Sequence, residues 1–167
     1  NMFFDSVSAS EFMSKYGNPD IITFTNVFAH INNLPELINN LKMLIGKNTT
    51  IVIENHYLGA VLRTDQFDTF YHEHPRTYSF KSFMYIAKQF GLNVKNVQFV
   101  SRYGGNIRVF IGKGETTKVF VDETEFKKLF IKMKIEIDAW IDNRRKLIED
   151  LVRKFGPLRA KAFPGRA

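Results

Sequence analysis

The stretch Asp20-Ile21-Ile22-Thr23-Phe24-Thr25 decides the fold of this chain. It is short and almost continuously apolar or β-branched, which is typical of a strand buried on both faces of a parallel sheet. A second run of the same kind follows at Thr49–Glu54. The two runs are therefore predicted to be neighbouring strands of one sheet.

An amphipathic helix is predicted between these two strands. Apolar residues recur every three or four positions from Leu34 to Ile45, which is the helical period. Asn33 is a plausible N-cap, Pro35 suits the first turn and Gly46 stops the helix. A strand-helix-strand order predicts an α/β sheet with a right-handed crossover.

The rest of the chain predicts further helices and one antiparallel strand pair. Two strands joined by the turn Ser101–Gly105 read as antiparallel neighbours. A long helix with an apolar stripe follows and ends at Gly156. The predicted elements are a short helix at Ser8–Met13, a helix through Phe83–Phe90, strands at Leu92–Val100 and Asn106–Ile111, and the long helix from Glu123 to about Phe155.

The four histidines all map to one edge of the predicted sheet. His30 follows the first strand, His56 follows the second, and the motif Tyr71-His72-Glu73-His74 comes shortly after. In open α/β sheets, ligands bind beyond the carboxyl ends of the strands. Because imidazole titrates near neutral pH, this clustering predicts an edge where protons are transferred.

Two other interpretations of the histidine motif remain. Histidines at alternate positions can be metal ligands, but a zinc site needs a third ligand and the helical H-E-x-x-H pattern is absent. The motif can also be a polar, solvated loop. We predict proton transfer and no metal, because the motif lies between an apolar strand and a helix.

Composition excludes several classes of protein. The chain has 167 residues, of which 44% are hydrophobic, so it can form one domain with a core. It has no Cys, which excludes a disulfide framework and Cys-based metal sites. No window reaches the length of a membrane span and no leader pattern is present, so we expect a cytoplasmic protein without a membrane partner.

The net charge of +7 has two possible meanings. Much of the basic excess lies after residue 126 and is interleaved with acidic residues, which is typical of a solvated helix face. No RRM, KH or zinc-finger signature is present, so no nucleic-acid partner is expected. Attraction for an anionic small substrate, such as a nucleotide diphosphate, fits the charge equally well.

Three segments carry a resemblance to a known family. Asn26–His30 (NVFAH), Phe67–His74 (FDTFYHEH) and Tyr103–Val109 (YGGNIRV) resemble the SAM-dependent sugar C-methyltransferases, which act on nucleotide-linked keto-deoxysugars. The resemblance runs from about Phe3 to Gly112 and continues more weakly to Gly165. One departure is Pro75-Arg76, where the family often has Leu after H-E-H. The substrate of this chain can therefore differ from the substrates of the family.

The resemblance also implies an incomplete domain. Complete members have a Cys-containing zinc region and a Gly-rich turn for S-adenosyl-L-methionine (SAM), and neither occurs in this sequence. The expected fold class is the C-terminal half of a class I (Rossmann-like) SAM methyltransferase sheet with a terminal antiparallel strand pair, then a long helix leading to a truncated C-terminal domain. The corresponding divisions are 1–113, 114–156 and 157–167, and this fragment alone is expected to be inactive.

The activity implied is transfer of a methyl group from SAM to a carbon next to the keto group of a nucleotide-linked deoxysugar. A base removes the proton that the ketone acidifies, and the resemblance points to His74 as that base. Glu73 would orient an imidazole or hold the enolate-like state, Tyr71 would hydrogen-bond the sugar or its oxyanion, and His30 would face the same sugar.

The resemblance also suggests binding residues. Phe4 and Asn26 would lie near the adenosine of SAM, although Phe4 could equally be a core aromatic and Asn26 a turn residue. Arg102 and Arg108 would pair with diphosphate, with a surface salt bridge as the alternative. The candidate substrate-binding residues are His72, Tyr78, Arg102 and Asn106.

Two rival functions stay open at the level of sequence. The same scaffold could methylate O or N of another metabolite, or it could be a catalytically silent domain that docks on a partner. A Gly-rich SAM turn upstream would favour an enzyme. If the strand that carries this turn is missing, Ile21–Thr25 lacks a neighbour on one side and becomes an edge strand. Weak SAM binding and self-association are then expected.

Overall fold

Four strands form one mixed sheet in a computed structural model, which describes residues 4–159. They are β1 (Ile21–Thr25), β2 (Thr50–His56), β3 (Asn93–Val100) and β4 (Asn106–Gly112). β1 and β2 are parallel, and β4 pairs antiparallel with both β2 and β3. The order β1-β2-β4-β3 confirms an α/β sheet that has a parallel unit and a final antiparallel pair.

Helices connect these strands at nearly the predicted places. One short helix was not predicted, because its six residues cover less than two turns and show no clear period. The helices are α1 (Ser6–Tyr16), α2 (Leu34–Leu44), α3 (Leu58–Arg63), α4 (Phe80–Gln89) and α5 (Phe126–Phe155), with 3-10 turns at Phe28–His30, Phe67–Thr69 and Arg102–Gly104.

Side chains cap the helices that flank the sheet. The side chain of Asn33 accepts from the backbone N–H of Glu36 and Pro35 lies in the first turn, so the predicted start of α2 is confirmed. α4 begins with a reciprocal pair in which Ser79 and Ser82 each accept from the other's backbone N–H. These caps fix the points where the chain turns away from the sheet edge.

The expectation that β1 is buried on both faces is wrong. Its residues alternate between exposed and half-buried, and Ile21 is 64% exposed. Ile22 and Phe24 pack on the core, while the other face of the strand is open. Among the described residues β1 has one strand neighbour, so it is an edge strand, as the sequence predicts for a sheet without the preceding strand.

The antiparallel pair contains an irregularity that the sequence pattern hides. Val94 and Val97 are both buried although they lie three positions apart. The register between β3 and β4 shifts between Val94 and Asn96, so one extra residue is inserted and both valines face the core. A bulge therefore interrupts the alternation of inward and outward side chains along β3.

The core lies between the sheet and its helices. It is built mainly from aliphatic and aromatic side chains of β2, β4, α2 and α4. Its most deeply buried large side chains include Phe28, Leu41, Ile51, Ile53, Tyr57, Phe83, Ile107, Val109 and Ile111.

Buried Glu54 joins the ends of three strands. Its Oε1 accepts from Asn106 Nδ2 at 3.0 Å and its Oε2 accepts from Arg108 Nε at 2.8 Å. The same Asn106 amide donates to Asn26 Oδ1 at 3.0 Å, and the N–H of Asn26 donates to the carbonyl of Glu54. The last residues of β1, β2 and the first residues of β4 are thereby tied together at one edge.

The charge of Glu54 is stabilised inside this network. Burial alone would raise the pKa of its carboxyl, but the hydrogen bonds from Asn106 and Arg108 and the charges of Arg108 and Arg102 lower it below the ordinary value of 4.5. The side chain is only 3% exposed, so an uncompensated charge here would be costly.

A second buried carboxylate, Glu123, holds the segment before α5 on the core. It lies outside the long helix, which begins later than predicted. Its Oε1 accepts from Phe80 N at 2.6 Å and from Tyr57 Oη at 3.2 Å, and its Oε2 accepts from Lys81 N. Burial first, and then the charge and hydrogen bond of Glu123, raise the pKa of Tyr57 to about 12. Glu123 therefore caps α4 from a distant part of the chain.

The chain divides into two compact units after Lys127. The boundary predicted at residue 113 lies earlier than this division, and as a domain assignment it stays a prediction. Most of the predicted start of a C-terminal domain falls in residues 160–167, which lie outside the described residues.

The described part of the second unit is α5 from Lys128 onward and a short tail. Ion pairs such as Lys132–Glu136 and Lys134–Asp138 line it, which confirms the predicted solvated face of mixed charge. Part of its apolar stripe is also open, since Trp140 and Ile148 are about half exposed. None of the helices in the described range is long and apolar enough to cross a membrane.

Replacing Glu54 with Gln should destabilise the sheet edge in a pH-dependent way. A carboxyl whose folded pKa is lowered contributes stability above its unfolded pKa, near 4.5, and loses it as the pH falls through the folded value. We expect Glu54→Gln to lower the free energy of unfolding, measured by urea denaturation at pH 7, by about 2 kcal/mol. The difference in unfolding free energy from the wild type should narrow below pH 4.5. Exposed Glu11→Gln is the matched control, and a constant gap at all pH values would contradict the assignment.

Replacing Glu123 with Ala should loosen the start of α4. Two backbone N–H groups and the Tyr57 hydroxyl lose their acceptor, so we expect the free energy of unfolding to fall by about 2–3 kcal/mol. Urea denaturation followed by circular dichroism measures this loss. Glu115→Ala, at an exposed position of the same segment, should change stability by less than about 0.5 kcal/mol. Equal losses in the two variants would show that Glu123 is not an anchor.

Candidate functional site

Three of the four histidines meet at the carboxyl edge of the sheet. His30 ends the 3-10 turn after β1, His56 ends β2, and His74 lies in the loop before α4. The ring of His74 is 4.5 Å from that of His30 and 5.8 Å from that of His56, centroid to centroid. The predicted clustering is confirmed for these three residues, which we call the imidazole cluster.

His72 and Glu73 are turned away from the imidazole cluster toward solvent. The side chain of His72 is 88% exposed and that of Glu73 is 54% exposed. Their side chains approach each other, with His72 Nε2 3.9 Å from Glu73 Oε1. The imidazole that Glu73 neighbours is therefore that of His72.

The hydrogen bonds of His74 determine which ring nitrogen is basic. Its Nδ1 lies 3.0 Å from the carbonyl oxygen of Thr69, which can only accept, so Nδ1 carries the proton in the neutral ring. Its Nε2 is then the acceptor, and the Tyr71 hydroxyl donates to it at 3.3 Å. The ring is held from both sides and presents its lone pair on Nε2.

A tight turn places Tyr71 against His74. The backbone N–H of His74 donates to the carbonyl of Tyr71 at 2.9 Å, and the two rings lie 4.4 Å apart. Tyr71 remains 39% exposed, so its hydroxyl can reach both His74 and the open edge. This geometry suits a residue that contacts substrate beside the base.

Gly104 and Gly105 form a tight turn that borders the site next to His56. Both have positive φ, and a Cβ at Gly104 would overlap the Gln66 side chain. The carbonyl of Gly105 accepts from the N–H of Tyr57, which fixes the turn beside the end of β2. The turn presents Tyr103, whose ring lies 6.1 Å from that of His56.

Four predicted binding residues belong to the Glu54 network, and one of them, Arg108, is its direct ion-pair partner. Asn106 is completely buried and donates to Asn26 and Glu54, so its amide is bonded to the protein where a substrate contact was expected. Arg102 Nη1 lies 3.8 Å from Glu54, which matches the salt-bridge alternative. Asn26 has φ 53°, so the turn-residue alternative describes it.

Tyr78 is likewise a core residue where a substrate contact was expected. It is 3% exposed and its hydroxyl donates to the carbonyl of Phe28 at 3.3 Å. Burial raises its pKa to about 12. It stacks on Phe83, so its side chain is committed to the protein interior.

Phe4 lies in an apolar groove beside the edge strand. The groove has a volume of about 340 Å³ and is lined by Phe4, Ser8, Phe12, Ile22, Phe24, Leu41 and Leu44. Among the side chains of this lining, the Ser8 hydroxyl is the one hydrogen-bonding group. The lining therefore supplies no acidic side chain for the ribose of SAM, and the Asn26 side-chain oxygen already accepts from Asn106 Nδ2.

Several residues of the site were not among the predicted ones. His56 was placed at the correct strand end but was not assigned a role, and its position after β2 was the available signal. Glu54 and Arg76 carry no local signature, because their partners lie about 45 or more positions away in the sequence. Within residues 4–159 no three His, Asp or Glu side chains are grouped as a metal site would require.

Comparisons with known proteins show which family the chain belongs to. C-methyltransferase NovU of Streptomyces niveus is 30% identical over 107 residues, which cover 64% of this chain and 26% of that protein. The chain thus spans about a quarter of the length of that relative. Residues 1–97 match the family described as Methyltransferase domain. Since this match covers more than half of the 167 residues, the chain belongs to the methyltransferase domain family, which implies S-adenosyl-L-methionine as the methyl donor.

Proposed function

We propose that this chain supplies the base and part of the substrate site of a C-methyltransferase. The substrate is a nucleotide-linked deoxysugar that carries a keto group, and the methyl group goes to the carbon next to it. The observation that carries the proposal is the His74 ring, held by Thr69 and Tyr71 so that Nε2 is the basic atom. The name of the relative, C-methyltransferase NovU, supports methylation at carbon.

His74 removes the proton from the reacting carbon in this proposal. The keto group acidifies that proton, so its removal by Nε2 leaves an enolate in which the electron pair is shared with the oxygen. Nδ1 keeps its hydrogen bond to the Thr69 carbonyl, which stabilises the imidazolium that forms. SAM would supply the electrophilic methyl group, and its sulfur would keep the electron pair of the broken S–CH3 bond as a neutral thioether. The proton on His74 passes to solvent.

Tyr71 and His30 hold the reacting part of the sugar. The Tyr71 hydroxyl turns from His74 to the enolate oxygen as its hydrogen bond is exchanged, and this donor stabilises the negative charge. His30 packs against His74 with its ring exposed, so it borders the substrate on the β1 side. His72, which is mostly solvent-exposed, would contact only an outer part of the substrate.

The fold supports a divided SAM site in this proposal. We infer that residues 1–113 are the C-terminal half of a class I methyltransferase sheet, that 114–156 form a connector and that 157–167 open a further domain. The β1 edge and the groove beside it would face the SAM-binding half. The isolated chain would accordingly be inactive.

Changing His74 to Gln in the full-length enzyme should abolish proton removal. Without SAM, the wild-type enzyme should exchange the proton next to the keto group for deuterium in D2O, as followed by NMR of a nucleotide-linked keto-deoxysugar. We expect the exchange rate to fall by about two to four orders of magnitude in His74→Gln, with SAM affinity unchanged.

The matched substitution His72→Gln distinguishes the role of His72 from that of His74. Because its side chain is 88% exposed, we expect at most a higher KM with kcat retained. Near-native exchange in His74→Gln would remove His74 from the role. Methyl transfer without any carbon-bound exchange in the wild type would instead favour methylation of O or N.

The 167-residue chain alone should bind SAM weakly and self-associate through β1. Its edge strand has unpaired backbone groups next to an apolar groove, and such edges recruit other strands. Titration calorimetry with SAM and light scattering measure the two properties. Tight stoichiometric binding by a monomer would contradict the proposed half-sheet.

A pair of equivalent substitutions identifies the surface responsible for association. Ile21 on β1 is 64% exposed and Ile135 on α5 is 63% exposed. Ile21→Lys should shift the chain to monomer because a charge on an edge strand opposes strand pairing, whereas Ile135→Lys should leave association unchanged. The opposite result would assign the interface to α5.

A further inference from the structure

Arg76 connects the two loops that carry His30 and His74. It lies two residues after His74, and its guanidinium reaches the chain just beyond His30. Nη1 donates to the carbonyl of Ile31, and Nη2 donates to the carbonyl of Asn32 at 3.1 Å. These bonds join positions that are about 45 residues apart in sequence.

The chain immediately after His30 is held less firmly than the chain before it, where Phe28 is completely buried. The 3-10 turn Phe28–His30 has no side-chain cap, and the next residue, Ile31, is extended. From the opposite loop, the buried Tyr78 hydroxyl holds the carbonyl of Phe28. Tyr78 therefore fixes the start of the turn, and Arg76 fixes the chain immediately after His30.

The chemistry of arginine suits this connection. A guanidinium presents several N–H donors in one rigid plane, so a single side chain can satisfy two successive backbone carbonyls in a fixed geometry. A Lys ammonium is a point donor on a flexible stem and cannot reproduce both bonds with the same precision. The bond to the Ile31 carbonyl is partly buried and so is shielded from full competition by water, whereas the bond to the Asn32 carbonyl is exposed.

We propose that Arg76 is a positioning residue that sets the separation of His30 and His74. By holding the carbonyls of Ile31 and Asn32, it keeps the His30 ring in edge contact with the His74 ring, at 4.5 Å. The effect of Arg76 on catalysis rests on the proposed function, in which His74 is the base. The effect of Arg76 on structure, which is a fixed separation of the two imidazoles, does not depend on that function.

NMR of the 167-residue chain tests the structural consequence directly. We expect nuclear Overhauser contacts between the His30 and His74 rings in the wild type, their loss in Arg76→Met, and partial recovery in Arg76→Lys. Arg145→Met, on the solvent-exposed part of α5, removes the same charge and should keep the contacts. Thermal unfolding of each variant identifies general destabilisation, which would weaken contacts throughout the core as well. Persistence of the ring contacts in Arg76→Met would overturn the proposal.

The full-length enzyme tests the catalytic consequence. We expect Arg76→Met to slow deuterium exchange at the carbon next to the keto group by about tenfold or more, because small misplacements of reacting groups are costly. The KM for SAM should not change, and Arg76→Lys should recover part of the rate. An unchanged exchange rate in Arg76→Met would overturn the positioning role. Absence of exchange in the wild type would refute the proposed function instead, and the ring contacts would still decide the role of Arg76.

Discussion

A buried negative charge at one end of the sheet constrains the rest of this structure. Glu54 is almost completely removed from water, so its carboxylate must be matched by donors from other strands. Asn106 and Arg108 provide them from β4, and Asn26 joins through the Asn106 amide. This requirement fixes how β1, β2 and β4 end relative to one another, and all the histidines of the imidazole cluster lie beyond those ends.

At the same edge of the sheet, the buried polar side chains are distinct from the partly exposed ones. Groups that face inward, such as the Asn106 amide N–H and the Tyr78 hydroxyl, donate hydrogen bonds within the protein and hold the strands and loops in place. Groups that face outward, such as Tyr71 and His30, are partly exposed. In the proposed function, a substrate approaches the second set while the first set holds its position.

Contacts between distant segments hold the loops above this edge. Glu123 accepts two N–H groups at the start of α4, and Arg76 holds two carbonyls before α2. In both cases a charged side chain satisfies backbone groups that the secondary structure leaves unpaired. His74 lies just before both anchored positions in the chain, Arg76 and the start of α4, which explains how an irregular loop can present one imidazole nitrogen in a defined direction.

The sequence by itself determined the strand-helix-strand unit, the antiparallel pair, the long helix and the edge at which the histidines gather. Those features follow from local periodicity and from strands ending where polar residues begin, and both are visible in a single chain segment. Only the tertiary structure decided that Asn106 and Tyr78 are internal, that His72 faces solvent and that β1 is open on one face. The physical reason is that burial and hydrogen bonding depend on partners far away in sequence, such as Glu54 for Asn106 and Phe28 for Tyr78.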